Sequence, residues 1–237
     1  MMGYATLLGD RTEMSVCRQD QLYLIGIGQT TVGPNLQRLT FRTTRGDFNA
    51  LAHLKKGVRQ GAIELGDRGT GLDGPGSIYP QLANELLDQG IGSLRLACRS
   101  PGDCAQSAID VLLALQYLDD EGIRDVVLVG WSFGGAVALS AGSLGKTVRG
   151  IAAISTTDVA DCCLRRLHSR PLLLLHGDCD RVSPVEVSRR VYFRSGEPRR
   201  LIVYPGAGHS FDEVRDQLRN DLKNWVLSVL HSRRIAA

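Results

Sequence analysis

The sequence predicts an α/β fold, a doubly wound and mostly parallel sheet with an antiparallel edge near its N-terminus. From residue 62 onward, short apolar runs alternate with helical patterns, as in the strands and crossover helices of a parallel sheet. Residues 21–53 instead alternate apolar and polar side chains, which is typical of antiparallel strands with one solvated face. Because no repeat or linker interrupts the pattern, residues 21–237 are predicted to form a single domain, preceded by an N-terminal arm at residues 1–20.

The composition is that of an ordinary globular domain. The chain has 237 residues, of which 43% are hydrophobic and 22% charged, enough to bury a sizeable core. A formal net charge of +3 and few aromatic residues do not favour nucleic-acid binding. No apolar run approaches the ~20 residues of a membrane span, and the first 20 residues lack the apolar core of a signal peptide. We therefore expect a cytoplasmic protein with neither a nucleic-acid nor a membrane partner, and no pattern predicts its oligomeric state.

The cysteines show no metal-binding pattern. None has C-x-x-C spacing, and two adjacent cysteines suit neither a simple disulfide nor a zinc site. We expect free thiols in a reducing compartment. Cys179 is of interest because it adjoins a candidate catalytic acid. The six are Cys17, Cys98, Cys104, Cys162, Cys163 and Cys179.

Strands and helices are predicted from periodicity and turn residues. Antiparallel strands are predicted at residues 21–31, 37–45 and 47–53. Short apolar runs predict further strands at residues 62–65, 92–97, 126–129, 148–154, 171–176 and 200–204. Helical spacing predicts helices from Tyr79 to a stop at Gly90, from a cap at Asp103 through Leu118, and at residues 136–141, 185–193 and 212–230. The apolar face of the second helix is predicted to be Ala105, Ala108, Ile109, Leu112, Leu115 and Leu118.

Residues 125–142 contain a strand, a sharp turn and a helix, with a serine at the tip of the turn. The turn reads Gly130-Trp131-Ser132-Phe133-Gly134-Gly135. This is the arrangement of a nucleophile elbow, in which glycines two positions before and after the serine let strand and helix approach closely. The turn would also direct the Phe133 backbone N–H toward an oxyanion. Taken alone, the motif could equally be a glycine-rich turn that closes a βα unit.

A serine nucleophile needs a base to take its proton, and five histidines are available. His209 is favoured because its glycine-rich loop lies just past the last strand, at the sheet edge where catalytic groups gather in parallel α/β proteins. His176 ends an apolar strand, where hydrogen bonding within its own loop is the favoured interpretation. The others fall on the antiparallel edge, in a basic connector and in the C-terminal tail: His53, His168 and His231.

Aspartates past the ends of two strands could orient the imidazole. Asp180 is favoured over Asp178, because Asp178 is close enough to its strand to take part in a turn. A salt bridge of Asp180 with Arg181 is the structural alternative, and Asp158 is a third candidate acid. The order serine, aspartate, histidine is the one expected on such a sheet.

From residue 62 to the C-terminus, the chain resembles the α/β-hydrolases, in particular the small dienelactone-hydrolase-like and carboxylesterase-like serine hydrolases. The resemblance is carried by Gly130-Trp131-Ser132-Phe133-Gly134-Gly135, Leu175-His176-Gly177-Asp178-Cys179-Asp180 and Pro205-Gly206-Ala207-Gly208-His209. It implies Ser132 as nucleophile, Asp180 as orienting acid and His209 as base. Dienelactone hydrolases proper use a cysteine nucleophile, so the serine here does not imply their particular substrate.

The loop after residue 65 departs from this family pattern. Many relatives have His-Gly there before an oxyanion donor, whereas this chain has Leu65-Gly66-Asp67-Arg68. Phe133 would supply one backbone N–H of the oxyanion hole, and Asp67 or Arg68 the other. Because a carboxylate beside a developing oxyanion is unfavourable, we expect Asp67 to point away or to pair with Arg68.

The connector at residues 157–170 is a second departure, since it is too short for the helical lid that many relatives insert. An open site favours short-chain or soluble esters over long acyl chains. Two residues are candidates for contacting substrate: Trp131, and Arg99, which could bind a substrate carboxylate or pair with Asp103.

The sequence therefore predicts a serine hydrolase that cleaves small-molecule carboxylic esters through an acyl-enzyme and needs neither a metal nor an organic cofactor. A thioesterase, lactonase or peptidase on the same triad is the alternative among enzymes. A hydrolase-fold binding protein with little turnover is the alternative among non-enzymes, because of the Asp67-Arg68 loop.

Overall fold

A computed structural model describes residues 22–67, 71–167 and 169–232. Its strands are β1 Leu24–Gly33, β2 Leu36–Thr43, β3 Phe48–His53, β4 Gln60–Leu65, β5 Ile91–Ala97, β6 Asp125–Trp131, β7 Val148–Ile154, β8 Leu172–Gly177 and β9 Arg199–Tyr204. Its α-helices are α1 Tyr79–Asp88, α2 Cys104–Asp120, α3 Phe133–Gly142, α4 Asp161–Arg166, α5 Val185–Arg194 and α6 Arg215–His231. The predicted arm at residues 1–20 lies outside the described residues, as do Arg68 and His168.

The nine strands form one sheet in the order β1-β2-β3-β5-β4-β6-β7-β8-β9. β1, β2 and β3 pair antiparallel, and β3 pairs antiparallel with β5. The strands from β4 to β9 run parallel. The predicted fold class is therefore confirmed: an α/β-hydrolase fold with an antiparallel N-terminal edge. β2 ends two residues before the predicted boundary, because the Thr43 hydroxyl binds the Arg45 N–H and the Gly46 carbonyl in a turn.

Helices cover both faces of the sheet. On β6, Val126 and Leu128 belong to one apolar cluster and Val127 and Val129 to the other, so this strand is buried on both sides. Residues of α1 and α6 belong to the cluster on one face, and residues of α2, α3, α4 and α5 to the cluster on the other. None of the described helices is both long enough and apolar enough to span a bilayer.

The second helix turns only part of the predicted face to the sheet: Ala108, Leu115 and Leu118 are buried, as predicted. Ile109, predicted to be inward, is 36% exposed, whereas Val111 and Ala114 are buried. Asp110 is buried beside them because it accepts hydrogen bonds from the backbone N–H and Nε–H of Arg99, at 2.8 and 2.6 Å. The inward face therefore includes an acidic residue that the apolar pattern left out, and it does not include Ala105 or Ile109.

The connector at residues 157–170 holds only the short helix α4. Leu164 and Leu167 are buried in the cluster beneath α2 and α3. Within the described part of this connector, no helical lid rises over the sheet edge, which leaves the loops at that edge uncovered.

Candidate active site

Ser132 lies between β6 and α3 in a strained backbone conformation. Its φ and ψ are 57° and −120°, values that L-residues rarely adopt. Its N–H donates to the Ile154 carbonyl at 2.8 Å, and its carbonyl accepts from the N–H groups of Gly135 and Thr157 at 3.0 and 3.3 Å. These bonds from neighbouring segments hold the serine at the carboxyl edge of the sheet.

The two glycines that flank Ser132 are required by close backbone approach. A Cβ atom at Gly130 would overlap the Gly134 carbonyl, and a Cβ atom at Gly134 would lie 2.6 Å from the carbonyl oxygens of Leu65 and Gly66. The start of α3 is therefore packed directly against the end of β4. This agrees with the role predicted for these glycines and places the elbow against the loop that follows β4.

The candidate base and acid are joined by a short hydrogen bond. His209 Nδ1–H donates to Asp180 Oδ2 at 2.8 Å, and the side chains of Asp180 and His209 are 0% and 13% exposed. The other carboxylate oxygen accepts from the N–H groups of Val182 and Ser183 at 2.8 and 2.9 Å. Burial raises the pKa of Asp180, but the Ser183 N–H and His209 outweigh it, so the pKa lies below its ordinary value. Asp180 is thus an ionised carboxylate that fixes the imidazole.

Trp131 attaches the histidine loop to the elbow. Its indole N–H donates to the His209 carbonyl at 3.0 Å, and the two ring centroids are 5.4 Å apart. His209 Nε2, the nitrogen opposite Asp180, is buried and has no hydrogen-bond partner among the described residues. Since Trp131 immediately precedes Ser132, the structure brings Asp180 and His209 to the elbow. Trp131 was predicted to contact substrate, but its side chain is buried and supports the histidine loop instead.

The other candidate acids lie elsewhere. Asp158 is 71% exposed and forms an ion pair with Arg190 on α5 at 3.2 Å. Asp178 lies in the turn after β8, as expected, and its Oδ1 accepts a hydrogen bond from the Gly206 N–H, in the loop after β9, at 2.7 Å. Of the three candidate acids, all within the described residues, only Asp180 contacts His209.

His176 is buried beneath the same carboxylate. Its Nε2–H donates to the Ser183 carbonyl at 2.8 Å, and its Nδ1 accepts from the Ser188 hydroxyl at 2.7 Å. This confirms hydrogen bonding within its own loop, and burial lowers its pKa. His176 Nε2 also lies 3.3 Å from Asp180 Oδ2, a contact that sequence reasoning missed. Within the described chain, Asp180 pairs with these two histidines and not with Arg181.

Both interpretations of Arg99 are wrong. Its guanidinium is buried against Asp110, as described above, and is not free to bind a substrate carboxylate. Asp103 instead caps α2 by accepting a hydrogen bond from the Gln106 N–H at 3.0 Å. The partner Asp110 was missed because it lies about two turns beyond the cap, at a position that the predicted apolar face did not include.

The oxyanion side of the site also differs from expectation. The Phe133 N–H is directed at Asp67 Oδ1, with the nitrogen and oxygen 3.5 Å apart. The expectation that Asp67 points away is therefore wrong, and its pairing with Arg68 falls outside the described residues. A helix N-terminus attracts carboxylates, which explains why Asp67 turns toward α3. A carboxylate thus faces the donor that an oxyanion would use.

Buried polar residues anchor the loop that carries Asp67. The Tyr79 hydroxyl donates to the Leu65 carbonyl at 3.2 Å, and Arg95 Nη1 binds the Leu72 carbonyl and Asp73 Oδ1 at 3.3 and 3.0 Å. Glu64, the second-last residue of β4 before this loop, is fully buried. Burial raises its pKa to about 8, although Arg95 acts in the opposite direction. Sequence reasoning missed this cluster.

The described residues contain no group of three or more histidine, cysteine or acidic side chains that could hold a metal ion. The five described cysteines are free thiols. Cys179 is exposed, and its hydrogen bond with Asp178 raises its pKa, so this thiol is not activated.

Comparison with known proteins supports this assignment of the site to a hydrolase fold. Residues 97–225 match the model of the dienelactone hydrolase family. A 64-residue segment is 41% identical to the uncharacterized protein YfhR of Escherichia coli O157:H7, covering 26% of this chain and 22% of YfhR. The chain thus spans about a fifth of the length of that curated relative.

Two solved structures show the same fold. Est1E from Butyrivibrio proteoclasticus is 14% identical with a TM-score of 0.68, over 78% of this chain and 95% of Est1E. A dienelactone hydrolase from Anabaena variabilis is 18% identical with a TM-score of 0.68, over 90% of this chain and 99% of the enzyme.

Proposed function

The chain belongs to the dienelactone hydrolase family, and from this premise we propose that it is a serine hydrolase cleaving short-chain or soluble carboxylic esters. The observation that carries the proposal is the buried Asp180 carboxylate bound to His209, whose carbonyl is in turn bound by Trp131, the residue before Ser132 in the strained elbow. This combination provides a nucleophile, a base and an orienting acid in the roles that acyl transfer requires.

The reaction would proceed through an acyl-enzyme. His209 Nε2 accepts the Ser132 proton as the hydroxyl oxygen attacks the ester carbonyl, and the oxyanion accepts a hydrogen bond from the Phe133 N–H. The imidazolium then gives its proton to the departing alcohol. Water, activated by the same imidazole, releases the acid and restores the serine. Asp180 keeps the proton of neutral His209 on Nδ1, so that Nε2 faces the serine with its lone pair.

The same triad could serve other acyl compounds, so a thioesterase, a lactonase or a peptidase is the alternative reaction class. A panel of matched substrates separates them: butyryl esters, butyryl thioesters, γ-lactones and a short peptide. We expect the highest kcat/KM on the ester. A higher value on any of the other three would replace the ester assignment.

A binding protein with little turnover is a second candidate, and one observation favours it. The Asp67 carboxylate faces the Phe133 N–H, where an oxyanion would be stabilised. If that contact persisted with substrate bound, the elbow would lack its electrostatic stabilisation and acylation would be slow.

A fluorophosphonate probe distinguishes the enzyme from the binding protein, because it reacts only with an activated serine. We expect labelling of the wild type and its loss in Ser132→Ala. Ser143→Ala is the matched control: this serine lies at the end of α3, where its hydroxyl donates to the Ser140 carbonyl, and labelling should persist. A folded wild type that is neither labelled nor active on any ester would favour the binding protein.

A further inference from the structure

A small apolar cavity with one carboxylate adjoins the oxyanion donor. Its volume is about 170 Å³. Asp67 is the only charged side chain among the described residues that line it. The side chains of Leu96, Cys98, Phe133 and Val137 supply much of its wall. Burial raises the pKa of Cys98 to about 12, so its thiol stays neutral and adds no second anion.

The position of Asp67 creates an electrostatic conflict for a neutral ester. A substrate carbonyl oxygen must take the place at the Phe133 N–H that Asp67 Oδ1 now faces at 3.5 Å. The negative charge that develops on this oxygen would then lie beside a carboxylate, in a half-buried region where screening is weak. Among the described residues, Arg99 follows the wall residue Cys98, but its guanidinium is bound to Asp110 and does not neutralise Asp67.

We propose that this site selects acyl groups that carry an ammonium group on the carbon next to the carbonyl, so that the preferred substrates are esters of small amino acids. The proposal rests on the serine hydrolase function proposed above. An α-ammonium group lies two bonds from the carbonyl carbon, and can therefore donate to Asp67 while the carbonyl oxygen accepts from Phe133. The bound ammonium draws the carboxylate away from the N–H and neutralises it.

The dimensions of the cavity indicate which amino acids fit. A volume of about 170 Å³ lies below the range of pockets that hold drug-sized ligands. It has room for the side chain of alanine or 2-aminobutyrate. Apart from Asp67 and the Cys98 thiol, the described residues of its wall offer no hydrogen-bonding side chain to a polar substituent, so small aliphatic side chains are preferred.

A pair of esters that differ only in charge tests the proposal. Alanine benzyl ester and benzyl isobutyrate have nearly the same shape, since a methyl group replaces the ammonium group. Below neutral pH, where the amine is protonated, we expect the wild type to prefer the alanine ester by about tenfold or more in kcat/KM, the scale of a charge-assisted hydrogen bond. In Asp67→Asn the preference should disappear, because the alanine ester slows and the isobutyrate becomes faster.

Asp73→Asn is the matched control, because Asp73 lies on the same loop but binds Arg95 and not Phe133. The ratio of the two esters should remain as in the wild type. Equal rates on both esters in the wild type, or a ratio unchanged in Asp67→Asn, would overturn the inference and leave the serine hydrolase function intact. Inertness of the folded protein toward both esters would overturn both.

Discussion

At the scale of single residues, the chemistry depends on how one imidazole ring is held. Asp180 binds His209 from one side, Trp131 holds its carbonyl from the other, and His176 lies beneath the carboxylate. The ring therefore has little freedom to reorient. In the proposed reaction, preorganisation of this kind would let a neutral imidazole act on the Ser132 hydroxyl without a large reorientation.

Replacing Asp180 with Asn tests this arrangement directly. The amide cannot hold the His209 proton on Nδ1, so the imidazole would adopt the wrong tautomer. We expect kcat for ester hydrolysis to fall by about three to four orders of magnitude, as loss of the orienting carboxylate does in serine proteases. Thermal unfolding measured alongside shows whether the variant remains folded.

Asp158→Asn is the control for that measurement. Asp158 is exposed and pairs with Arg190, so its replacement should leave kcat within about twofold of the wild type. An acid role for Asp158 would be indicated by the reverse pattern, with Asp158→Asn inactive and Asp180→Asn active.

The residues of the candidate triad could be predicted because each stands in a loop directly after a strand. The turn of Ser132, and the loops of Asp180 and His209, were recognisable from glycine content and position. The direction of Asp67 and the partner of Arg99 could not be predicted. Both depend on contacts between separate elements, α3 with the loop after β4 and α2 with the loop after β5, which local patterns do not encode.

At the scale of elements, β4 contains an unusual feature, a buried carboxyl group. Glu64 lies fully buried in the middle of the sheet, and neither carboxylate oxygen has a hydrogen-bond partner among the described residues. A buried carboxyl group without partners is far less costly when it is protonated. This agrees with the direction of its pKa, which burial raises to about 8.

Glu64 makes the stability of the protein dependent on pH. Its pKa is higher in the folded than in the unfolded state, so its contribution is fully present below the ordinary glutamate pKa and is lost as pH rises to about 8. Relative to Glu64→Gln, the free energy of unfolding of the wild type should fall by about 1.4 kcal/mol per pH unit over this window. Urea denaturation at a series of pH values measures the difference.

Glu85→Gln provides a control of opposite sign. Burial raises the pKa of Glu85, but Lys223 and Arg219 outweigh it, so the pKa lies below its ordinary value. Its contribution is present above the ordinary pKa and is lost as pH falls. The difference in free energy of unfolding between the wild type and Glu85→Gln should therefore become smaller toward acid pH. Equal pH profiles for the wild type and Glu64→Gln would contradict the account of Glu64.

The parallel strands could be placed from the sequence because their runs are continuous and apolar. The predicted strand at residues 148–154 agrees with β7, and the strand before Ser132 with the core of β6. The inward face of α2 was harder to predict, since it includes the buried acid Asp110. Glu64 lies inside the predicted strand at residues 62–65, but an apolar run gives no account of a carboxyl group within it.

At the scale of the whole molecule, the candidate site is open over the described part of the chain. The described connector between β7 and β8 contains only α4, and the cavity beside Phe133 is about 170 Å³ in volume. A long acyl chain would therefore remain largely in water. Methylene groups that stay in water add nothing to binding, whereas each buried one contributes about 0.8 kcal/mol.

Chain-length preference follows from this openness. We expect kcat/KM for p-nitrophenyl butyrate to exceed that for the palmitate ester by about tenfold or more, because the longer chain gains no buried surface to offset its poor solubility. Ser132→Ala gives the background rate for each ester. A clear preference for palmitate would show that a covered acyl channel exists.

The fold class could be predicted at this scale, because the change from alternating to continuous apolar patterns near residue 62 marks the passage from antiparallel to parallel strands. The order of the strands in the sheet could not be predicted from the sequence. β5 lies between β3 and β4, and periodicity contains no information on which strands become neighbours.

The contact between Trp131 and His209 has a spectroscopic consequence. The two ring centroids are 5.4 Å apart, so the surroundings of the indole depend on the position of His209. The chain has two tryptophans, so Trp225→Phe leaves Trp131 as the single tryptophan. Its emission should then differ between this variant and the same variant carrying His209→Gln, which removes the ring beside the indole. The indole would thus serve as a built-in optical reporter of the position of the histidine loop.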